Sequence, residues 1–199
     1  MRVIETKAYK FNELDDSAKE KAREWWREKG LDYEWWDSVY DDYHEKITSA
    51  GFGVGKMYFS GFWSQGDGAM FEYDSLNDKL LRDFADTLNL TPMRKQWLVT
   101  QGYISGSGRQ SGHYHHEKSC SHNVTIESNF QSSDAETFAD WICEFQMDFE
   151  EFIEEKYVDL ASDLYKSLEK EYDWLMSDEH VDETIGINHY EFTKEGEII

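Results

Sequence analysis

Only one proline, Pro92, occurs in the 199 residues of this chain, so no proline-rich linker or stalk is available to divide it. Cysteine is nearly as scarce: Cys120 and Cys143 are too few for a disulfide framework. No basic stretch leading into an apolar run opens the sequence, and a reducing cytoplasm is the expected compartment. No apolar run approaches the roughly 18–20 residues that a membrane-spanning helix needs, which excludes an inserted helix. Basic residues are also in short supply, 20 against 42 acidic, for a formal net charge of −22. A field of that sign repels nucleic acid and anionic lipid and draws in basic protein surfaces. Direct DNA or RNA binding is therefore not expected, and a basic protein surface is the expected partner. The same charge also serves solubility alone.

Burial potential is present in quantity. Hydrophobic residues make up 39% and aromatic residues 16% of the chain, too much for a disordered segment, and the length suits one domain over residues 1–199. The expected class is α+β: an antiparallel sheet of about five to six strands packed with helices, including a long acidic one near the C-terminus.

Along the chain, Val3 to Phe11 reads as a short strand, and Asn12 or Asp15 to Asp16 as caps for a helix ending before Gly30. Leu14, Ala18, Ala22, Trp25 and Trp26 mark its buried stripe. A second helix, Tyr33 to Ala50, carries Trp36, Val39, Tyr40, Tyr43 and Ile47 at helical steps, and the two helices form a hairpin. From Val54 to Trp63 the period changes to two, the mark of a strand. Ser64 to Gly68 then reads as a turn and Ala69 to Tyr73 as the returning strand. A helix over Asn77 to Leu90 precedes a meander of strands at Trp97 to Ser105, Tyr114 to Ser119 and Asn123 to Phe130, with Gly106 to Gly112 as a flexible connection. Asp134 caps the longest helical pattern, running through Phe138, Trp141, Phe149, Ile153, Leu164 and Leu175 as one helix or two with a bend. A short helix, Asp178 to Ile185, and a strand around Tyr190 to Thr193 complete the chain.

Charge concentrates in that long pattern. Between Asp134 and Glu183 there are 18 acids against three lysines, leaving 15 negative charges. Over a helix of about 75 Å at 1.5 Å per residue, that is roughly one charge per 5 Å, against about 1.7 Å for duplex DNA. The face matches phosphate in sign but is sparser than a nucleic-acid strand. Acids four residues apart on a helix repel by a few tenths of a kcal/mol per pair, so helix stability alone does not favour Asp140, Glu144, Asp148, Glu150, Glu151, Glu154, Glu155 and Asp159. Two readings share the observation: a surface shaped for a basic cleft, or a solvated face over an aromatic core.

Other residues invite chemistry and lose it on spacing. His113, His115, His116, Cys120 and His122 crowd one stretch, yet strand alternation puts His113 and His115 on one face and His116 and His122 on the other. A zinc ion held by three or four ligands at about 2.0–2.3 Å would need His113 and His115 plus a distant ligand, so surface histidines on a hairpin are the expectation and no metal or other cofactor is called for. Asp67, Glu72 and Asp74 lack calcium-loop spacing, and the glycine-serine segment lacks the lysine of a phosphate loop. Cys143 reads as core. Cys120 sits in acidic surroundings that raise a thiol pKa, so no catalytic residue is assigned.

Three strings are shared with a known group: Tyr9-Lys10-Phe11-Asn12-Glu13-Leu14 with Ala18 to Ala22, Trp35-Trp36-Asp37-Ser38-Val39-Tyr40, and Tyr58 to Ala69. With Leu168 to Tyr172 and Tyr190 to Thr193, the chain resembles a family of small phage and prophage proteins labelled as antitoxins of a toxin–antitoxin stability system. The resemblance implies a phage-encoded accessory protein acting in the host cytoplasm and brings no catalytic set. The expected function is that of a partner-neutralising protein, antitoxin-like or anti-defence, a mimic of nucleic acid in charge, whose acidic helix docks a toxin or a nucleic-acid-handling defence enzyme. The alternative from another class is a metal- or nucleotide-dependent enzyme built on the histidine-rich hairpin.

Overall fold

In the computed structural model, which describes residues 7–128, 141–142 and 144–199, the Asp15 carboxylate accepts the Ala18 amide at 2.9 Å. That bond satisfies an amide left over at a helix start and opens α1, Asp16–Lys29, which stops at Gly30. The chain is α+β, with a four-stranded and a two-stranded sheet, both antiparallel. It divides into two compact units, one of residues up to Asp37 with Leu168–Ile199, the other Ser38–Ser167. Among the described residues no helix is long and apolar enough to cross a membrane.

In the first unit, strand β1, Tyr9–Lys10, pairs with β6, Glu191–Phe192. Leu14, just before α1, and Ala18, Ala22 and Trp26 of α1 are buried with Phe11, Phe192 and, from helix α6 (Asp178–Ile187), Val181 and Ile185. The expected stripe on α1 is thus the core stripe, with Trp25 at its margin against Tyr190 and Phe192. Arg23 reaches across to α6, where both oxygens of Asp182 accept from it at 2.6 and 2.7 Å. Trp35 is buried against Tyr172 at 5.6 Å between ring centres. Trp36, expected inside the second helix, is half-buried and precedes it.

The second unit takes in almost all of α2, Asp37–Ala50, whose Val39, Tyr43 and Ile47 are buried at four-residue steps. Strands β2 (Phe52–Phe59), β3 (Ala69–Leu76), β4 (Gly102–Gln110) and β5 (Cys120–Ser128) follow in sheet order β2-β3-β4-β5. Helix α3, Asp78–Thr87, is capped by Asn77 and buries Leu80, Leu81, Phe84 and Ala85. Three expectations fail here. Trp97–Gln101 is not strand: it ends helix α4, Pro92–Gln101, which Thr91 caps and Pro92 opens, and which buries Leu98. The supposed connection from Gly106 is strand as far as Gln110. A Cβ on Gly108 would lie 2.3 Å from the Tyr73 ring and 2.9 Å from Cys120 Sγ, so glycine lets the neighbouring strands' side chains close over β4. Tyr114–His116, in turn, lies in the loop from β4 to a 3-10 turn at Glu117–Ser119. The expected strand end at Phe130 and the cap Asp134 lie outside the described residues, as does Cys143.

Helix α5, Gln146–Leu175, follows a turn after a helical Trp141–Ile142, the bend that the long pattern allowed. Phe149, Ile153, Tyr157, Ala161 and Leu164 are all fully buried along it. Two side chains fix it against the sheet. Tyr157 Oη accepts the Phe71 amide at 3.1 Å and donates to the Phe71 carbonyl at 2.9 Å. The Gln146 amide does the same for edge strand β5, accepting from Ile126 N–H at 3.0 Å and donating to the Val124 carbonyl at 2.8 Å. It thereby covers backbone groups that an open edge leaves free to pair.

Candidate partner-binding surface

The period that buries Phe149, Ile153 and Tyr157 turns the acids outward. Asp148, Glu151, Glu155 and Asp159 recur at three- and four-residue steps with Glu150 and Glu154 beside them, and all six are exposed. Glu144 is exposed in the turn before α5, and Asp140 lies outside the described residues. Glu151, Glu154, Glu155, Val158 and Asp159 line an open depression of about 490 Å³. Among the described residues none of these carboxylates forms an ion pair; Glu150 takes a hydrogen bond from the Gln146 amide. Lys156, the one cation in the stretch, lies 5.6 Å from the Phe152 ring centre.

Farther along the helix the environment changes. Asp163 is hydrogen-bonded by Lys46 and by Tyr43, and these bonds, Lys46's above all, hold its carboxyl below the usual value. The contrast separates a carboxylate tied into the unit's own structure from the run at 148–159.

The histidine stretch does not form a strand hairpin with alternating faces. His113 is exposed in the loop, while His115 stacks on Tyr58 at 4.9 Å and 11°. His116 Nδ1 accepts the Lys118 amide at 3.2 Å. Only His122 reaches the core, where its Nδ1 lies 3.0 Å from Tyr73 Oη and 3.9 Å from Cys120 Sγ. Burial lowers the His122 pKa, against an opposing pull from Glu154, and pushes the Cys120 thiol up to about 11. Burial also raises Tyr73 and Tyr157. The cluster is thus a set of neutral groups, in which the thiol stays protonated at neutral pH and is a poor nucleophile. Among the described residues no three histidine, cysteine or acidic side chains come together as a cation would require. Asp67, Asp74 and Glu72 serve separate partners, respectively the Ser64 amide, Arg109 and the Gln110 amide.

One surface feature escaped the sequence. Strand β2 ends at Phe59, not Trp63, because the chain turns through positive φ at Gly61 (96°), Trp63 (68°) and Gly66 (93°). Asp67 closes the turn, its carboxylate accepting the Ser64 amide at 2.7 Å and its own amide donating to the Ser64 carbonyl at 3.1 Å. A left-handed conformation costs a residue with a side chain about 1–2 kcal/mol. Trp63 adopts it with 71% of its surface exposed. The two-residue alternation of Met57, Phe59, Gly61 and Trp63 gave no sign of this; the glycines at 61 and 66 were the available signal.

The family described as Domain of unknown function (DUF8835) matches residues 35–178, a span that holds the Trp63 turn and the whole acidic run of α5. No curated protein and no solved structure matches the chain.

Proposed function

The chain belongs to the DUF8835 family, and we propose that it is a protein-binding inhibitor whose acidic α5 face docks a basic surface of its target. The observation that carries this reading is the run Asp148, Glu150, Glu151, Glu154, Glu155 and Asp159: all are exposed, and among the described residues no lysine or arginine pairs with them. Mutual repulsion at four-residue spacing works against the helix, while an opposing basic surface would relieve it. The resemblance to phage antitoxin-labelled proteins supports a phage-encoded antitoxin-like or anti-defence role in the host cytoplasm. The target is then a toxin or a nucleic-acid-handling enzyme, approached through mimicry of its substrate's charge. Fold analogy supplies no part of this reading.

The test begins with capture from host lysate at low and high salt, followed by association kinetics with the captured protein. Changing Glu150, Glu151, Glu154 and Glu155 together to Lys is expected to slow association, because steering follows the summed field. Wild-type association is expected to slow as the screening length falls from about 10 Å at 0.1 M salt to about 3 Å at 1 M. Rates indifferent to both salt and reversal would remove the helix from the mechanism.

A further inference from the structure

The four-stranded sheet ends in two edges that differ in regularity. Strand β2 breaks its register with β3 twice, between Phe52 and Val54 and between Val54 and Met57, and irregularities of this kind blunt an edge against further pairing. Strand β5, last in the sheet order at the other side, keeps nine consecutive pairs with β4, from Gly102 with Ser128 to Gln110 with Cys120. No bulge, proline or lysine interrupts it. In an antiparallel strand both polar backbone groups of one residue point to the same side, and successive residues alternate. The bonds from the Gln146 amide to the Val124 carbonyl and the Ile126 N–H therefore mark the even-numbered residues of β5 as those turned away from β4. An amide that accepts at 3.0 Å and donates at 2.8 Å stands where the peptide group of a fifth strand would.

We propose that Gln146 is an edge guard that keeps β5 from joining the β5 of a second copy of this chain. The strand itself sets the register of such a pair. Centred on Val124, a twofold pairing places Val124 against Val124, His122 against Ile126 and Cys120 against Ser128, so that each outward N–H meets an outward C=O. The odd-numbered side chains share the opposite, exposed face, where Asn123 faces Thr125 and Ser121 faces Glu127, with no two like charges opposed. Charge is complementary along that last row. Glu127 of one copy looks past Ser121 to Arg109 of the other, its register partner on β4, two strand spacings or about 10 Å away. Ser105, Ser107, Asn123 and Thr125 make an uncharged strip in a chain of net charge −22, the place where two acidic copies approach at least electrostatic cost. Gln146 sits at the centre of this pairing. It holds the Val124 carbonyl, which would accept the copy's Val124 N–H, and the Ile126 N–H, which would donate to the copy's His122 carbonyl. The proposal is independent of the partner assigned to the α5 face.

The experiment is sedimentation equilibrium of the full chain as wild type, Gln146→Ala and Gln146→Met, with hydrogen exchange of the β5 amides read at low and high protein concentration. Both variants remove the two bonds, and methionine keeps the length of the side chain. Each is expected to dimerise at least about tenfold more tightly than wild type, and more tightly still as salt screens the like net charges. At high concentration the His122, Val124 and Ile126 amides of the variants should become protected together. Adding Asn123→Lys and Thr125→Lys to Gln146→Ala should reverse the gain, because the change lowers the net negative charge yet sets lysine opposite lysine across the pair. Variants as monomeric as wild type overturn the proposal, and so does a dimer that leaves the β5 amides exchanging freely or that survives the two lysines. Loss of folding in both variants also overturns it, because the amide would then hold the unit together rather than guard its edge.

Discussion

Helices α5 and α6 are both rich in acids, yet their carboxylates keep different company. On α6, Asp182 takes two hydrogen bonds from Arg23, and Asp178 pairs with Arg27 and Arg23. Arg23 is only 17% exposed in its side chain, so this ion-pair group is part of how its unit holds together. On α5 the carboxylates from Asp148 to Asp159 meet no such cations among the described residues, and that segment is held to the sheet by Phe149, Ile153 and Tyr157. Net charge by itself therefore says little about role. The position of each arginine relative to each acid separates acids that stabilise from acids that project a field.

The strongest way to sharpen the contrast uses neighbours in sequence. Phe149→Ala empties a fully buried site packed on Phe84 at 5.1 Å and is expected to cost about 3–5 kcal/mol. Glu150→Ala, one residue on, is expected within about 0.5 kcal/mol of wild type; urea unfolding measures both. A loss at Glu150 rivalling that at Phe149 would mean that the outer acids are structural after all. Next in size, Arg23→Ala breaks the α6 group and strands a half-buried Asp182, with an expected loss of about 1.5–3 kcal/mol. An unchanged melting temperature would erase the distinction between the helices.

Acid titration probes the boundary case, Asp163. Hydrogen bonds from Lys46 and Tyr43 hold its folded pKa below the ordinary value. The unfolded chain therefore takes up the proton first as pH falls, and the stabilisation is complete above about pH 4–5 and lost below, as the folded group titrates. The stability gap between wild type and Asp163→Asn should be flat near neutrality and close in acid; a gap independent of pH would refute the pairing. The smallest effect tests how far the α5 field reaches inward. Glu154 raises the His122 pKa against the lowering by burial, so Glu154→Gln should move the His122 titration further down, as read from its ring proton shifts. In wild type a buried neutral histidine withdraws stability as pH drops below about 6.5, where the unfolded chain begins to protonate.

Local signals carried much of the fold into the sequence. Asp15, read as a cap, does cap α1, and the helix starts read at Asn77 and Asp178 fall at or next to the observed ones, where Asn77 and Ser177 are the caps. The helical spacing through Phe149 and Ile153 was legible too, whereas Tyr157, buried in the same stripe, went unread. The errors came where a partner far along the chain decides. Trp97, Val99 and Thr100 have the composition of a strand, but Thr91-Pro92 starts a helix there and Leu98 finds a buried site. Gly106 to Gln110 has the composition of a loop, yet Tyr73, Leu76 and Cys120 fill the space that its missing side chains leave. Trp63 was misplaced because a backbone angle, not a residue type, sets it outside the strand.

Tyr157 has one more consequence. Its hydroxyl takes the place of a neighbouring strand for Phe71, receiving that residue's N–H and returning a hydrogen bond to its carbonyl. The shielding of that single amide from deuterated solvent thus depends on a helix some 86 positions away in sequence. Its exchange rate becomes a clock for the departure of α5 from the sheet, and Tyr157→Phe is the change that would set it running fast while the helix itself stays wound.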